Sequence, residues 1–304
     1  MRRAFCSLGS LGGFGSLVVA MGLTGCARAP SPLAPHLAGS IGLPHRGVLT
    51  KPTELPAEGV GYRLLAPTNE RHFGTARFVA AIERAAAKVA HERPGSTLTI
   101  GDLSARTGGK ISSHASHRSG RDADLLLYMT TLDGAPITSP GFVHVGTDGL
   151  AFDEAEKRFL RFDVEREWLL VKALVEDPEA RVEWLFASKP VEAMLIDWAR
   201  ARGESGDTIV RAMDMLLQPG PPAQNHDDHV HVRIACDPDE IAAGCEENGP
   251  VRPWLAALDG ASPASLHVEV PTTKELVELL IMPIDAAGPT LAGTPSDART
   301  KNRD

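Results

Sequence analysis

The 304-residue sequence is poor in aromatic residues, in cysteine and in positive charge. Aromatic residues make up 5% of the chain, and there are four cysteines. Four cysteines are too few for a scaffold built from disulfides, so the fold must depend on a hydrophobic core, for which 43% hydrophobic residues are ample. The formal net charge is -8, with 31 basic against 39 acidic residues. This balance argues against broad electrostatic binding to nucleic acids or anionic membranes, because those surfaces are negative too.

Two common peptidase motifs are also missing. The chain has no H-E-x-x-H sequence, which argues against a thermolysin-like zinc peptidase. It has no S-x-x-K sequence either, which excludes the penicillin-binding serine peptidases by motif. Without an acylable serine of that kind, β-lactams find no nucleophile in this protein.

The N-terminus has the pattern of a bacterial export signal. Arg2 and Arg3 form a basic start, and an uncharged stretch then leads into Leu23-Thr24-Gly25-Cys26. This tetrapeptide resembles the lipobox of bacterial lipoproteins, in which the cysteine receives a diacylglyceryl group. A transmembrane anchor is the alternative, but the many glycines make the stretch poorly hydrophobic. We therefore predict a signal peptide over residues 1–25 and lipidation of Cys26.

Export sets the location and the cysteine chemistry. The protein is expected in the periplasm, with the lipid as its only membrane anchor, and Ala27 favours the outer membrane under the sorting rule of enteric bacteria. Cys6 would leave with the signal peptide. The two cysteines that remain unmodified, Cys236 and Cys245, most simply pair in an oxidising compartment.

The rest of the chain divides into three parts. Residues 26–58 are rich in proline, glycine and alanine and read as a tether from the membrane. Residues 59–258 form the expected folded domain, and residues 259–304 a partly disordered extension with one apolar run. Apolar spacing predicts helices over residues 75–90, 164–176 and 191–202 and strands over residues 97–100, 124–128, 181–187 and 230–234. This irregular alternation predicts an α+β fold.

Five of the eleven histidines fall in two short segments. His114 and His117 precede Asp124, and Gly120 permits the tight turn that brings His117 and Asp124 together. The second segment carries His226, His229 and His231. The other histidines are expected to be ordinary core or surface residues, namely His36, His45, His72, His91, His144 and His267.

The two segments together predict a metal site. A strand with a two-residue period puts His229 and His231 on one face. Asp124 begins an apolar strand, where an unpaired carboxylate would be costly unless a cation neutralised it. Two imidazoles, one carboxylate and water form a catalytic type of zinc site, with three protein ligands and one open position. The spacing leaves open which of His229 and His231 is the ligand.

The segments HASHRSGRDAD and HDDHVHVR, about a hundred residues apart, resemble the penicillin-insensitive murein endopeptidase family of LAS-type metallopeptidases. That family shares an H-x6-D pair and a downstream H-x-H, and the resemblance covers roughly residues 40–245. Four upstream segments also resemble it, namely Ser40-Ile41-Gly42, Phe73-Gly74, Ile100-Gly101-Asp102 and Gly108-Gly109. Arg121 and Asp122, beside the ligand pair, and the segment from Thr147 to Phe162 depart from the family pattern.

The resemblance implies a fold and a role for each site residue. The fold would have a small central antiparallel sheet flanked by helices. His117, Asp124 and His231 would bind Zn²⁺, and His229 would be the catalytic histidine beside them. His226 and His114 would line the same site, and Cys236 and Cys245 lie where these enzymes place a disulfide.

Three functions are compatible with these residues. The first is a lipid-anchored zinc endopeptidase that cuts D-alanyl–meso-diaminopimelyl cross-links in peptidoglycan. The second is a D-Ala-D-Ala dipeptidase or D,D-carboxypeptidase of the same fold. The third is a non-catalytic lipoprotein that binds peptidoglycan and uses zinc only as a structural ion. The complete set of catalytic-type residues favours the enzymes.

Overall fold

The computed structural model of the protein describes residues 39–258 apart from residue 222. The helices in this part of the chain are α1 (Ala76–Glu92), α2 (Val164–Glu176), α3 (Lys189–Ala201), α4 (Gly206–Met215), α5 (Pro238–Ala242) and α6 (Pro253–Leu258). The strands are β1 (Ser40–Leu43), β2 (Arg46–Leu49), β3 (Thr53–Glu54), β4 (Glu58–Gly59), β5 (Tyr62–Leu64), β6 (Phe73–Gly74), β7 (Leu98–Ile100), β8 (Asp122–Leu126), β9 (Met129–Thr130), β10 (Pro136–Ile137), β11 (Leu150–Asp153), β12 (Arg158–Phe162), β13 (Val182–Phe186), β14 (Leu216–Leu217) and β15 (His229–Ile234). Among these residues, no helix has the length and apolar character needed to cross a membrane.

Seven strands form the main sheet in the order β14-β13-β15-β8-β7-β5-β4. The four strands in the middle pair antiparallel, whereas β13 pairs with β14 and β5 pairs with β7 in parallel. The predicted α+β class is confirmed, and the main sheet is antiparallel except for the pairs β13–β14 and β5–β7. These two pairs are parallel because a helical crossover joins their strands, through α3 and α4 in the first pair and through α1 in the second, and such a connection returns the chain in the same direction.

Helices α1 and α2 begin at side-chain caps. The Thr75 hydroxyl accepts from the Phe78 amide, and the Asp163 carboxylate accepts from the Arg166 amide. Both helices lie within a residue or two of the predicted ranges, because their apolar residues recur at helical spacing. The apolar side of α1 joins a core that also contains Trp168 of α2 and Leu125 of β8.

The main sheet has one apolar and one polar face at its centre. Val230, Val232 and Ile234 of β15 belong to the hydrophobic core. The alternate residues His229, His231 and Arg233 must therefore lie on the opposite face. The strand pair β8–β15 thus presents polar side chains away from the core.

The folded part begins before residue 59, the predicted boundary of the domain. Strands β1 and β2 form a hairpin inside the segment assigned to the tether, and Ser40 and Leu49 are buried. Gly42 donates to the Gly244 carbonyl at 2.8 Å, and its own carbonyl accepts from the Glu246 amide at 3.2 Å. These contacts tie β1 to a loop far along the chain, and local composition carries no sign of them.

The predicted Cys236–Cys245 disulfide is present, with the two Cα atoms 6.2 Å apart. It closes the loop that holds β1. The predicted signal peptide, Cys26 and the extension over residues 259–304 lie outside the described residues.

The segment from Thr147 to Phe162, which departs from the family pattern, forms the hairpin β11–β12. This hairpin joins β9 and β10 in a separate four-stranded sheet. Phe152 and Phe159 face each other across its strands, with ring centroids 5.0 Å apart, and both are exposed.

Candidate metal centre

Strands β8 and β15 bring the two histidine segments together on the polar face of the sheet. In the antiparallel register, His231 lies directly opposite Asp124 and His229 opposite Leu126. The loops that lead into these strands carry the remaining predicted residues. All six predicted side chains meet in one place, namely His114, His117, Asp124, His226, His229 and His231.

The three predicted ligands converge on one point. His117 Nε2 lies 3.3 Å from His231 Nδ1 and 3.3 Å from Asp124 Oδ1. His231 Nδ1 lies 3.0 Å from the same carboxylate oxygen. Three ligand atoms at such separations can surround a single small cation.

Hydrogen bonds on the far side of each ring fix which nitrogen faces this point. His117 Nδ1 lies 2.9 Å from the Leu103 carbonyl oxygen, which can only accept, so Nδ1 carries the proton. His231 Nε2 donates to the Asp122 carboxylate at 3.0 Å. The lone pairs of His117 Nε2 and His231 Nδ1 are therefore free to bind a metal.

Asp124 supplies the test of whether a cation fits. Its carboxylate is 1% exposed, and Oδ1 has no well-directed hydrogen bond although His117, His229 and His231 nitrogens lie within 3.4 Å. Burial raises the pKa of Asp124, but the surrounding imidazoles outweigh burial and hold that pKa well below its usual range. A buried, ionised oxygen between imidazole lone pairs is an acceptor that a cation would satisfy.

The turn between His117 and Asp124 depends on the glycine that the sequence indicated. Gly120 has φ of +76°, and a Cβ there would lie 2.8 Å from a Leu49 methyl carbon. Its amide donates to Ser104 Oγ at 3.0 Å. His117 itself has φ of +62°, in the left-handed region that non-glycine residues seldom adopt. Backbone strain of this kind is concentrated at functional sites.

His229 lies beside the predicted ligands and is held by a second carboxylate. Its Nε2 is 3.4 Å from Asp124 Oδ1, and its Nδ1 is 2.5 Å from Asp228 Oδ1. Burial lowers the pKa of His229, but Asp124 and Asp228 raise it to about 9. The Phe142 ring stands edge-on to the imidazole, with centroids 5.4 Å apart.

His226 and His114 border the same site. His226 Nδ1 donates to the Gln224 carbonyl at 2.7 Å, and its ring centroid is 4.8 Å from that of His229. Burial and the neighbouring histidines lower the pKa of His226 to about 4. The His114 ring is 4.3 Å from that of His117 by centroids. Both residues are only half-buried, so they form the solvent-facing side of the site.

Sequence reasoning missed three carboxylates that hold these rings. Asp102 bonds to His114 at 3.0 Å, Asp228 to His229, and Asp122 to His231. Each lies in a segment quoted for the family resemblance, but a carboxylate beside a histidine in sequence does not reveal which ring it faces. Asp122 had stood out only as a departure from the family pattern.

Two further residues named in the sequence analysis lie outside the ligand set. Arg121, the other departure, is fully buried, and its guanidinium donates to the backbone carbonyls of Gly42, Ile234 and Glu246, so it ties strands together. His144, expected to be an ordinary surface residue, is exposed but bonds to Asp227 at 2.7 Å.

A groove of about 420 Å³ opens next to this site. Residues 140–144 form one wall and residues 152–155 the other. Phe142 lines the groove and also stands edge-on to His229, so the groove and the site are adjacent. The volume is within the range of small-molecule and peptide sites.

The α+β domain places two imidazoles, one carboxylate and a flanking histidine around one point. This arrangement is typical of mononuclear metallohydrolases. Comparison with known proteins narrows this class. Residues 40–140, which include His114, His117 and Asp124, match the family model described as penicillin-insensitive murein endopeptidase.

Curated relatives carry the same description. The chain is similar to the penicillin-insensitive murein endopeptidase of Haemophilus influenzae, with 27% identity over 231 residues that cover 74% of this chain and 72% of the relative. The enzyme of Salmonella arizonae is 28% identical over 222 residues, covering 70% and 71% of the two chains. That of Yersinia pestis is 36% identical over 91 residues, covering 30% and 33%. The family match and these relatives support the predicted resemblance to the penicillin-insensitive murein endopeptidases and indicate a peptidase.

Proposed function

We propose that the protein is a zinc-dependent murein endopeptidase that hydrolyses the D-alanyl–meso-diaminopimelyl cross-links of peptidoglycan. The observation that carries this proposal is the convergence of His117 Nε2, His231 Nδ1 and Asp124 Oδ1 in a chain whose relatives are named murein endopeptidases. The similarity to murein endopeptidases supports the reaction, and the donor set supports the metal.

Zinc is the ion that these ligands favour for hydrolysis. Imidazole nitrogens with one carboxylate suit zinc, and the three ligands leave a position open. Bound zinc would lower the pKa of a water ligand to about 7 and polarise the scissile carbonyl.

His229 has the geometry of the proton carrier. Its Nδ1 is held by Asp228, which leaves Nε2 directed at the site and able to accept a proton from the attacking water or to donate one to the leaving amine. His114 and His226 stand at the accessible side, where they can contact the substrate or orient the ligands. The groove beside Phe142 offers room for the peptide stems next to the scissile bond.

Two alternatives remain from the sequence. A D-Ala-D-Ala dipeptidase or D,D-carboxypeptidase would use the same metal and the same histidine on a shorter peptide. A non-catalytic peptidoglycan-binding lipoprotein would need zinc only as a structural ion. The half-buried His114 and His226 weigh against that last function, since structural zinc sites are closed by four protein ligands.

The proposed location follows from the substrate and the N-terminal pattern. Peptidoglycan lies in the periplasm, and a lipid on Cys26 would hold the enzyme at the membrane beside it. The outer membrane is the proposed anchor site.

The experiment that tests the function is digestion of purified cross-linked muropeptides by the zinc-loaded protein, with products resolved by mass. We expect the cross-linked dimer to be converted to monomers, and removal of the metal by a chelator to stop the reaction. Loss of only a terminal D-alanine would identify a carboxypeptidase. An unchanged substrate with zinc bound would support the non-catalytic lipoprotein.

A further inference from the structure

We propose that Asp122 is a positioning residue that fixes both metal-binding histidines at once. The inference rests on the proposed metal site. Asp122 and Asp124 are two positions apart on β8 and therefore on the same face of the sheet. Asp124 points one oxygen at both metal-binding nitrogens, whereas Asp122 lies on the far side of His231 and cannot reach the same point.

The first contact of Asp122 is with the ring of His231. Its Oδ1 accepts from His231 Nε2 at 3.0 Å. A proton held on Nε2 leaves the lone pair on Nδ1, which is the nitrogen that faces Asp124 and His117. Asp122 therefore sets both the tautomer and the orientation of this ligand.

The second contact is with the backbone of His117. Asp122 Oδ2 accepts from the His117 amide at 3.1 Å, in a fully buried position. His117 has φ of +62°, which is strained for a residue with a Cβ. The bond holds the backbone in the conformation that aims the imidazole at the site.

Arg233 fixes Asp122 in turn. The two residues are directly opposite in the β8–β15 register, and Arg233 Nε donates to Asp122 Oδ1 at 2.7 Å. The guanidinium also lies over the Phe186 ring, 5.4 Å from its centroid. One carboxylate thus receives three donors, one from each of His117, His231 and Arg233.

This arrangement requires a carboxylate. Asparagine has the same shape but only one acceptor oxygen, so in either orientation its amide NH₂ faces at least one of the three donors. Asp122→Asn is therefore expected to disturb one of the two histidine ligands without creating a cavity.

Asp163 provides a matched control. It is also a buried aspartate that accepts from a backbone amide and an arginine side chain, both of Arg166, but it caps α2 and does not contact a histidine. Asp163→Asn should lower stability while leaving the metal site intact.

The test is a competition titration with a chromophoric chelator that measures the zinc dissociation constant of the full-length wild type, Asp122→Asn and Asp163→Asn. We expect Asp122→Asn to weaken zinc binding by about 10–100-fold and Asp163→Asn to leave it unchanged. Nitrogen NMR of the metal-free proteins should show His231 protonated at Nε2 in the wild type. In Asp122→Asn it should show a mixture of tautomers at His231 or, where the amide NH₂ faces His117, a shifted signal of the His117 amide. Excess zinc should restore part of the activity, since Asp122 does not touch the reacting atoms.

Zinc binding by Asp122→Asn within about twofold of the wild type would overturn the inference. An equal loss in Asp163→Asn would also overturn it, because the effect would then follow general stability. If Asp122→Asn does not fold, Arg233→Lys is used in its place. We expect this variant to bind zinc more weakly than the wild type, and equal binding would contradict the inference. A wild type that binds no zinc would instead refute the proposed function.

Discussion

His229 and His231 are two positions apart on one strand face, yet the structure gives them different surroundings. His231 is held by Asp122 on one side and faces His117 and Asp124 on the other. His229 is held by Asp228 at Nδ1, and its Nε2 lies 3.4 Å from Asp124 Oδ1. At the scale of the residue, the proposed function would therefore have His231 hold the metal and the neighbouring His229 move the proton.

The first prediction concerns His229. His229→Ala should retain zinc and lose about 10²–10⁴-fold in kcat, the usual effect of removing a general base or oxyanion donor. Muropeptide turnover at saturating zinc measures this loss. His91→Ala, an exposed histidine on α1, is the control and should match the wild type. Turnover by His229→Ala close to that of the control would remove His229 from the reaction.

The sequence predicted the parts of this site that depend on residues close together in the chain. The H-x6-D and H-x-H spacings, with Gly120 between His117 and Asp124, indicated four of the side chains that meet there, and the resemblance implied the other two, His114 and His226. Asp102 and Asp122 could not be assigned to their histidines, because a long loop and the β8–β15 register decide those pairings. Asp228 is the chain neighbour of His229, but adjacency alone does not show that the two side chains bond. Spacing also could not separate the two histidines of H-x-H, since both point to one face.

At the scale of the element, α2 contains a carboxyl group with no counter-charge. Glu167 is fully buried, and its one hydrogen bond is from the Tyr128 amide at 3.0 Å. Burial raises the pKa of Glu167 to about 8, above the value of about 4.3 expected in the unfolded chain. Between these values the unfolded state releases the proton more readily, so the free energy of unfolding should fall as the pH rises.

The second prediction follows from that sign. The Glu167→Gln variant can still accept the hydrogen bond from Tyr128 but has no proton to lose. Between about pH 5 and about pH 8 its free energy of unfolding should therefore rise relative to that of the wild type by at least about 1 kcal/mol. Urea unfolding of both proteins at the two pH values measures the difference. If the two free energies of unfolding differ by the same amount at both pH values, Glu167 has the same pKa in the folded and unfolded states, and the prediction is wrong.

The third prediction concerns the loop that holds β1. Replacing Cys236 and Cys245 by alanine should lower the free energy of unfolding by about 2–3 kcal/mol, the chain-entropy value for so short a loop. Hydrogen exchange at the Gly42 amide should also become faster, because its acceptor Gly244 lies in that loop. Unfolding under non-reducing conditions measures the loss, and a double variant as stable as the wild type would contradict it.

Elements with a strong local signal agreed best with prediction. Helices α1, α2 and α3 have apolar faces and N-terminal caps, and the observed ranges differ from the predicted ones by at most two residues. The short strands β1 to β3 were placed in the tether, because two to four residues among prolines and glycines carry no usable period. The loop around Gly244, which holds β1 in place, is remote in sequence.

At the scale of the whole molecule, the negative net charge makes membrane attachment depend on the proposed lipid. An acidic protein gains little from the anionic membrane surface, so attachment would depend on the proposed acyl chains. The fourth prediction is that Cys26→Ser leaves the protein unlipidated, as an uncleaved precursor or a soluble form. Membrane fractionation and mass measurement check this, and unchanged partitioning with Cys6 intact would support a transmembrane anchor instead.

The central claim is that His117, Asp124 and His231 hold one metal ion beside His229. The measurement that tests it most directly is the zinc content of the purified wild type and of the four alanine variants. We predict about one zinc per chain in the wild type and in His229→Ala, and little in His117→Ala, Asp124→Ala and His231→Ala. Zinc retained by His231→Ala and lost from His229→Ala would contradict the account by reversing the roles of the two histidines.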